Sequence, residues 1–202
     1  MTQYRQAELV LGNLTLALAM LERSRDFAAL VPEVRVNLAY ALPKAKTSRQ
    51  VAAVDGRITV VRGFPRASGP LAWGASDHMA RLILEARKYS HDINAGINFK
   101  CDAGIINVVR QYASERGIAL GWIDRTEEPP DIAGRDRSSM PWKVKQLIRT
   151  CGTVPRLFYE GEGWGKEPLF VALGKDAIEV VTTALEIARR YRRLTTDQET
   201  DG

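Results

Sequence analysis

Apolar residues recur at Val10, Leu14, Ala17, Leu18 and Leu21, the spacing of one helix face, and predict a helix over residues 4–23. Leu9, Leu11 and Leu16 widen the stripe, so this helix needs cover on several sides, from its own domain or from a second copy. Pro32 closes the region. Weak alternation over residues 34–42 predicts a strand that Pro43 stops. Residues 51–54 and 58–61 are short apolar runs on either side of Asp55-Gly56. That dipeptide between such runs predicts a tight hairpin, with residues 63–70 as loop. Residues 77–89 read as a helix with Ser76 at its N-cap, and residues 97–99 as a short extended piece. A helix over 103–115 ends before Gly117, and a strand follows over 118–123. Residues 144–150 read as a helix ended by Gly152, and 156–159 and 169–173 as strands. The last helix, 176–191, sets Ile178, Val181, Leu185 and Ala188 on one face.

No repeat and no linker interrupts this order, and 202 residues suit one domain. The expected organisation is an N-terminal helix (1–24), a main domain (25–194) and a frayed acidic tail (195–202). Strands and helices alternate, but one strand pair reads as a hairpin. A mixed sheet covered by helices is therefore favoured over a purely parallel ladder. With 45% apolar residues, the chain can bury a core without staples. No apolar run reaches the ~18 residues of a membrane span. The N-terminus lacks a secretory cleavage pattern, so the expected location is the cytoplasm. Cys101 and Cys151 stand apart with no CxxC, which fits a reducing compartment and no zinc ribbon. The net charge of +5 is spread along the chain. Its one dense cluster, Arg189, Arg190, Arg192 and Arg193, falls at the end of a predicted helix, where cations complement the dipole. No nucleic-acid partner is expected from it. A moderately basic chain suits substrates that carry phosphates.

Four places could carry chemistry. Residues 161–166 hold three glycines and then Lys166, which suits an anion nest with Gly163 and Gly165 as its backbone; the alternative is a plain turn. The segment fails the P-loop pattern, because Glu167 stands where Ser or Thr is needed. Residues 74–78, Gly-Ala-Ser-Asp-His, run into a helix N-terminus, where N–H groups favour anions. Ser76 is a candidate phosphate contact there, and the dipole biases His78 toward its neutral form; the alternative is a cap with an incidental histidine. Arg57 offers a fork suited to phosphate oxygens, or is simply solvated. Asp124-Arg125, entering a loop with Glu127 and Glu128, could hold Mg²⁺ or be a solvated acidic loop. No GxSxG occurs, and His78 and His91 fit no zinc spacing, so no nucleophile stands out.

These segments, in this order, resemble a known family. The matching residues are Pro32-Glu33-Val34 with Asn37-Leu38-Ala39-Tyr40-Ala41, and Val51-Ala52-Ala53-Val54-Asp55-Gly56-Arg57-Ile58. Further along they are Gly74-Ala75-Ser76-Asp77-His78, Asn98, Asp124-Arg125 with Glu128-Pro129, Ser139-Met140 with Trp142, and Gly165-Lys166-Glu167-Pro168. Together they resemble the ThiN family of thiamine-phosphate synthase domains over residues 25–190. Only one long helix precedes the match, which resembles the stand-alone form of the family rather than its kinase or helix-turn-helix fusions.

The resemblance implies a three-layer α/β/α sandwich with a mixed, mostly antiparallel sheet, similar to class II (AraD-like) aldolases. It implies condensation of 4-amino-2-methyl-5-pyrimidinylmethyl diphosphate with 4-methyl-5-(2-phosphoethyl)thiazole, giving thiamine phosphate and diphosphate. The family's essential arginine and histidine fall on Arg57 and His78. Lys166 with Gly163 and Gly165 would hold a second phosphate. Asn98 would contact the pyrimidine, and Mg²⁺ is expected with a diphosphate leaving group, Asp124 being its candidate ligand. A homodimer is expected through the N-terminal helix. Two positions depart from the family pattern: Glu160 stands where an aspartate is expected, and Pro141 where an acid is expected. The competing readings are a non-catalytic sensor of thiamine phosphates and, by fold analogy alone, an aldolase-like lyase, which two scattered histidines disfavour.

Overall fold

The computed structural model describes residues 2–132, 136–161 and 167–200. Five α-helices and nine strands alternate along it: α1 (Gln3–Glu22), β1 (Leu38–Ala41), β2 (Val51–Val54), β3 (Ile58–Val61), β4 (Phe64–Ala67), β5 (Leu71–Trp73), α2 (Asp77–Ala86), β6 (Ala95–Lys100), α3 (Ala103–Glu115), β7 (Leu120–Ile123), α4 (Asp136–Cys151), β8 (Leu157–Glu160), β9 (Leu169–Gly174) and α5 (Ala177–Thr200). Seven strands form one sheet in the order β5-β2-β1-β6-β9-β8-β7. Every neighbouring pair is antiparallel except β7 and β8, which α4 joins by a crossover.

Side chains alternate between the two faces of this sheet, and each face has its own core. On one face Leu38, Ala52, Ile97, Phe99, Phe170 and Ala172 pack with α1, α3 and α5. On the other Ala39, Ala53, Phe158, Val171 and Leu173 pack with α2 and α4. The result is a three-layer α/β/α sandwich with a mixed, mostly antiparallel sheet, as expected. The stripe Val10, Leu14, Ala17 and Leu21 of α1 is fully buried in the first core. Gly96 in β6 shows how closely α2 approaches: a Cβ there would lie 2.8 Å from Met79 Sδ.

The hairpin does not form at Asp55-Gly56. β2 pairs with β5, and β3 pairs with β4 as a separate two-stranded ribbon. Both pairings share one register, Val54 opposite Leu71 and Ile58 opposite Ala67. Residues 51–73 are thus one long antiparallel hairpin, broken midway where Asp55-Gly56-Arg57 faces Ser68-Gly69-Pro70. The tight reversal is at Arg62-Gly63, where both φ angles are positive, 53° and 78°, as a type I′ turn requires. At the break the positive φ values fall on Gly56 and Arg57, so the chain bends there without reversing. Half of the predicted loop 63–70 is strand β4.

Other boundaries move outward. β6 runs the full Ala95–Lys100 because it is central, paired on both sides. α4 begins at Asp136 and carries Pro141 inside it; the missing N–H removes a single helical bond, and the predicted start lay beyond it. α5 continues to Thr200, through the expected frayed tail. The arginine cluster therefore lies within the helix and not at its end. Arg190 is held by Glu115 at 2.7 Å and stacks on Tyr112. Among the described residues, no helix is long and apolar enough to cross a membrane.

Arg62 in the left-handed region is strained, whereas asparagine tolerates that region. Arg62→Asn is expected to raise the unfolding free energy measured in urea by up to about 1 kcal/mol, on the scale of the left-handed penalty. Asp55→Asn should leave it unchanged, because no reversal occurs there.

Candidate active site at one edge of the sheet

The pairings make β2, β6, β7 and β8 run one way and β1, β5 and β9 the other. One edge of the sheet therefore collects the ends of β2, β6, β7 and β8 with the beginnings of β1 and β9. Arg57 follows β2, Asn98 lies in β6, Arg125 follows β7, and Glu160 ends β8. Asn37 precedes β1, and Glu167 and Leu169 lead into β9. On the α2/α4 face of this edge lies a cavity of about 260 Å³. Those residues line it, together with His78, Met79 and Leu82 of α2, Lys143 of α4, Val34 and Val171. Residues scattered over 138 positions of sequence meet only because the strands end together.

The strap of residues 32–37 crosses the cavity mouth outside any strand, held by side chains from elsewhere. Glu167 accepts from the Val34 and Glu33 N–H groups at 2.6 and 3.3 Å. The Arg57 guanidinium donates to the Val34 carbonyl. Asn98 accepts from the Asn37 N–H at 2.6 Å and donates to the Arg35 carbonyl at 3.2 Å. Arg57 and Arg35 hold φ of 72° and 68°, left-handed values that cost a non-glycine residue of order 1–3 kcal/mol and cluster at functional sites. Arg57 and Val34 also border a second, open cavity, shared with Glu33, Arg35, Gly56 and Ala75.

The floor is charged and buried. Lys143 and Glu160 are 1% and 5% exposed and hydrogen-bonded to each other. Burial pushes the Glu160 carboxyl up, but the Lys143 ammonium, its hydrogen bond, His78 and Arg125 outweigh it and hold the group below the ordinary carboxylate range. Arg125 Nη1 lies 3.7 Å from Glu160, and Nη2 lies 4.0 Å from Glu128, which Ser139 also bonds.

Several candidates fall in place and others do not. Arg57, His78 and Asn98 share the cavity. Asn98 works mainly on the strap backbone. Ser76 stands at the N-cap of α2, yet its hydroxyl donates to Asn37 Oδ1 at 3.0 Å and leaves the helix end uncapped. Asp124 points away: it accepts from Thr126 N–H and hydroxyl at 2.9 and 2.6 Å, bonds that hold its carboxyl below its ordinary range. Gly163, Gly165 and Lys166 lie outside the described residues. Asn37 and Glu167 fall inside the segments of the family resemblance and Glu160 at one of its departures, yet nothing in the sequence singled them out as site residues, and Lys143 had no motif at all.

The site does not fit a resident Mg²⁺. Among the described residues no group of three His, Cys, Asp or Glu could hold a metal. Asp124 is bound to Thr126, Glu167 to the strap, and Glu160 and Glu128 to cations and Ser139. No step is routed through a metal here. Nor is there a thiol nucleophile in the cavity lining: burial, with Asp102 adding, pushes the Cys101 thiol up to about 12.

Lys143→Met strands a buried carboxylate and is expected to cost about 3–5 kcal/mol at pH 7. Because the folded-state value of Glu160 is depressed, the pair's contribution is present above the ordinary carboxylate range. It is lost as pH falls through the depressed value. The gap between wild type and Lys143→Met should therefore narrow on going from pH 7 to pH 4 in urea unfolding. A constant gap would show that Glu160 does not carry the effect.

Known proteins resemble this chain in sequence and fold. The family model for thiamine-phosphate synthase ThiN matches residues 13–186. The thiamine-phosphate synthase ThiN of Methanothermobacter thermautotrophicus is 35% identical over 92% of this chain and 95% of its own. The bifunctional thiamine biosynthesis protein ThiDN of Methanocaldococcus jannaschii is 37% identical over 95% of this chain, which spans 43% of that longer protein. The crystal structure of the C-terminal domain of a phosphomethylpyrimidine kinase superposes with a TM-score of 0.83 at 31% identity, covering 90% of this chain and 99% of that one. The L-fuculose-1-phosphate aldolase of Thermus thermophilus shares the fold alone, at a TM-score of 0.50 and 10% identity over 95% of this chain and 97% of that one. Sequence and architecture agree, and the chain belongs to the thiamine-phosphate synthase ThiN family.

Proposed function

We propose that this chain is a thiamine-phosphate synthase, joining 4-amino-2-methyl-5-pyrimidinylmethyl diphosphate to 4-methyl-5-(2-phosphoethyl)thiazole. The observation that carries the reading is the meeting of Arg57 and His78 in one cavity, whose walls are apolar at Met79, Leu82, Leu169 and Val171. The reaction breaks the bond between the pyrimidinylmethyl carbon and the diphosphate oxygen. The electron pair leaves on that oxygen, and the thiazole nitrogen forms the new bond to carbon. Such a step needs two substrates held together and the leaving charge stabilised, with no protein nucleophile.

Arg57 sits at the mouth, where its fork can hold diphosphate oxygens. Its bond to the Val34 carbonyl must then be exchanged for the ligand. His78, in the first turn of α2, orients or protonates the departing oxygen or holds the thiazole phosphate. The uncapped N–H groups of that turn add donors for an anion. The apolar walls keep water from the electrophilic carbon. The second cavity beyond Arg57 offers room for the other anionic substrate.

Purified protein, both substrates and Mg²⁺ are expected to yield thiamine phosphate, read by thiochrome fluorescence. Arg57→Ala and His78→Ala are each expected to lower turnover at least ~100-fold. Arg57→Gly should lose turnover equally while keeping or raising the melting temperature, because it frees the strained φ. Wild-type rates in both alanine variants would remove the site assignment. No product, with thiamine phosphates still raising the melting temperature, would make the chain a sensor. We also propose a homodimer through the outer face of α1, where Leu9 and Leu16 are exposed. Light scattering should give the mass of two chains, and a single-chain mass would exclude it.

A further inference from the structure

Arg125 is the one feature of the floor that the site does not explain. Its side chain is 6% exposed and lines the cavity. Its Nε is buried with no hydrogen-bond partner, and its nearest carboxylate oxygens stand at 3.7 and 4.0 Å, beyond good hydrogen-bond distance. Guanidinium donors are rarely left so, because a buried donor without a partner forfeits the hydrogen bonds it made in water. Beside it, Glu160 commits one oxygen, Oε2, to both Lys143 and Arg125. Neither contact uses Oε1.

The charges decide what such a place takes. Arg125 and Lys143 are balanced by Glu160 and Glu128, so these four formal charges cancel. A phosphate brought there would meet two carboxylates and no surplus cation. At the mouth stand two guanidinium groups, Arg57 and Arg35, with Glu33 beside them and Glu167 already taken by the strap N–H groups. What fits the floor is a neutral heterocycle carrying a hydrogen-bond acceptor beside a donor. The walls suit a flat ring, with Met79 and Leu82 of α2 and Leu169 and Val171 of β9 lining the same cavity.

Resting on the synthase reading above, we propose that Arg125 and Glu160 form the subsite that reads the aminopyrimidine ring. Arg125 donates to a ring nitrogen, and Glu160 accepts from the adjacent exocyclic amine. Lys143 is a positioning residue that keeps Glu160 ionised. The ring end of the substrate goes in first, and its diphosphate stays at the mouth with Arg57.

Titration calorimetry of the full chain tests this with three probes: 4-amino-5-hydroxymethyl-2-methylpyrimidine, its analogue lacking the amine, and inorganic diphosphate. Wild type is expected to bind the aminopyrimidine at least about tenfold more tightly than the analogue, as expected of a site built to pair that amine. This comparison needs no variant. Arg125→Lys keeps the charge but loses the fork. It should weaken the aminopyrimidine at least about tenfold and leave diphosphate unchanged. Arg57→Ala should do the reverse. Equal binding of the two heterocycles, no saturable binding of the aminopyrimidine, or an Arg125→Lys loss as large for diphosphate would each overturn the subsite. Turnover reads the synthase proposal separately. The binding pattern without turnover keeps the subsite and removes synthesis; turnover with equal binding of both heterocycles does the opposite.

Discussion

A lysine and a glutamate taken out of water together set the terms for the rest of this molecule. Moving either ion alone into the interior costs several kcal/mol, and only close pairing with further hydrogen bonds compensates. Lys143 and Glu160 meet this condition at the end of β8, with Arg125 and Glu128 completing a neutral cluster. The pairing ties α4 to the sheet at one point and sets the depth of the cavity above it. It also keeps a carboxylate charged in a place where burial alone would neutralise it.

The other wall is built differently. The strap before β1 meets a strand only at Val36, which exchanges both peptide bonds with Ile58, and side chains take others: Glu167, Arg57 and Asn98 each bond peptide groups of residues 33–37. All three of these residues also line the cavity. A ligand that engages Arg57 competes with Val34, so the strap is coupled to occupancy through the bond that Arg57 must give up. The interrupted hairpin serves the same end. Its break at residues 55–57 leaves Arg57 in the left-handed region, a strained placement held by the paired strands on both sides.

The division of charge follows from these two walls. Guanidinium forks lie at the mouth and a neutral charge cluster on the floor, with apolar side chains between. An anionic tail and a neutral ring joined in one substrate would match that arrangement, and such a site needs only to hold and polarise.

Periodicity alone carried α1, α3 and the body of α5, because helix faces at 3.6-residue spacing are local. Arg57 and His78 were legible as well, since both sit in motifs that the chain shares with its family. The error at Asp55-Gly56 has a specific cause: the dipeptide favours positive φ wherever it stands, and whether the chain reverses depends on which partner strand is available. Ser76 was legible as a cap by position, but Asn37, 39 residues away, takes its hydroxyl. Asp124 looked like a metal ligand, and its neighbour Thr126 claims it. Lys143 has no motif signal, and Arg125 and Glu160, though they stand at positions of the family resemblance, carry no sign of burial, because a charged residue reads as solvent-facing until its partner is known. The amino-acid sequence by itself determined the helices, the central strands and the family. Only the tertiary structure decided which charges are buried, since pairing across 17 to 35 residues is a property of strands that end at one edge.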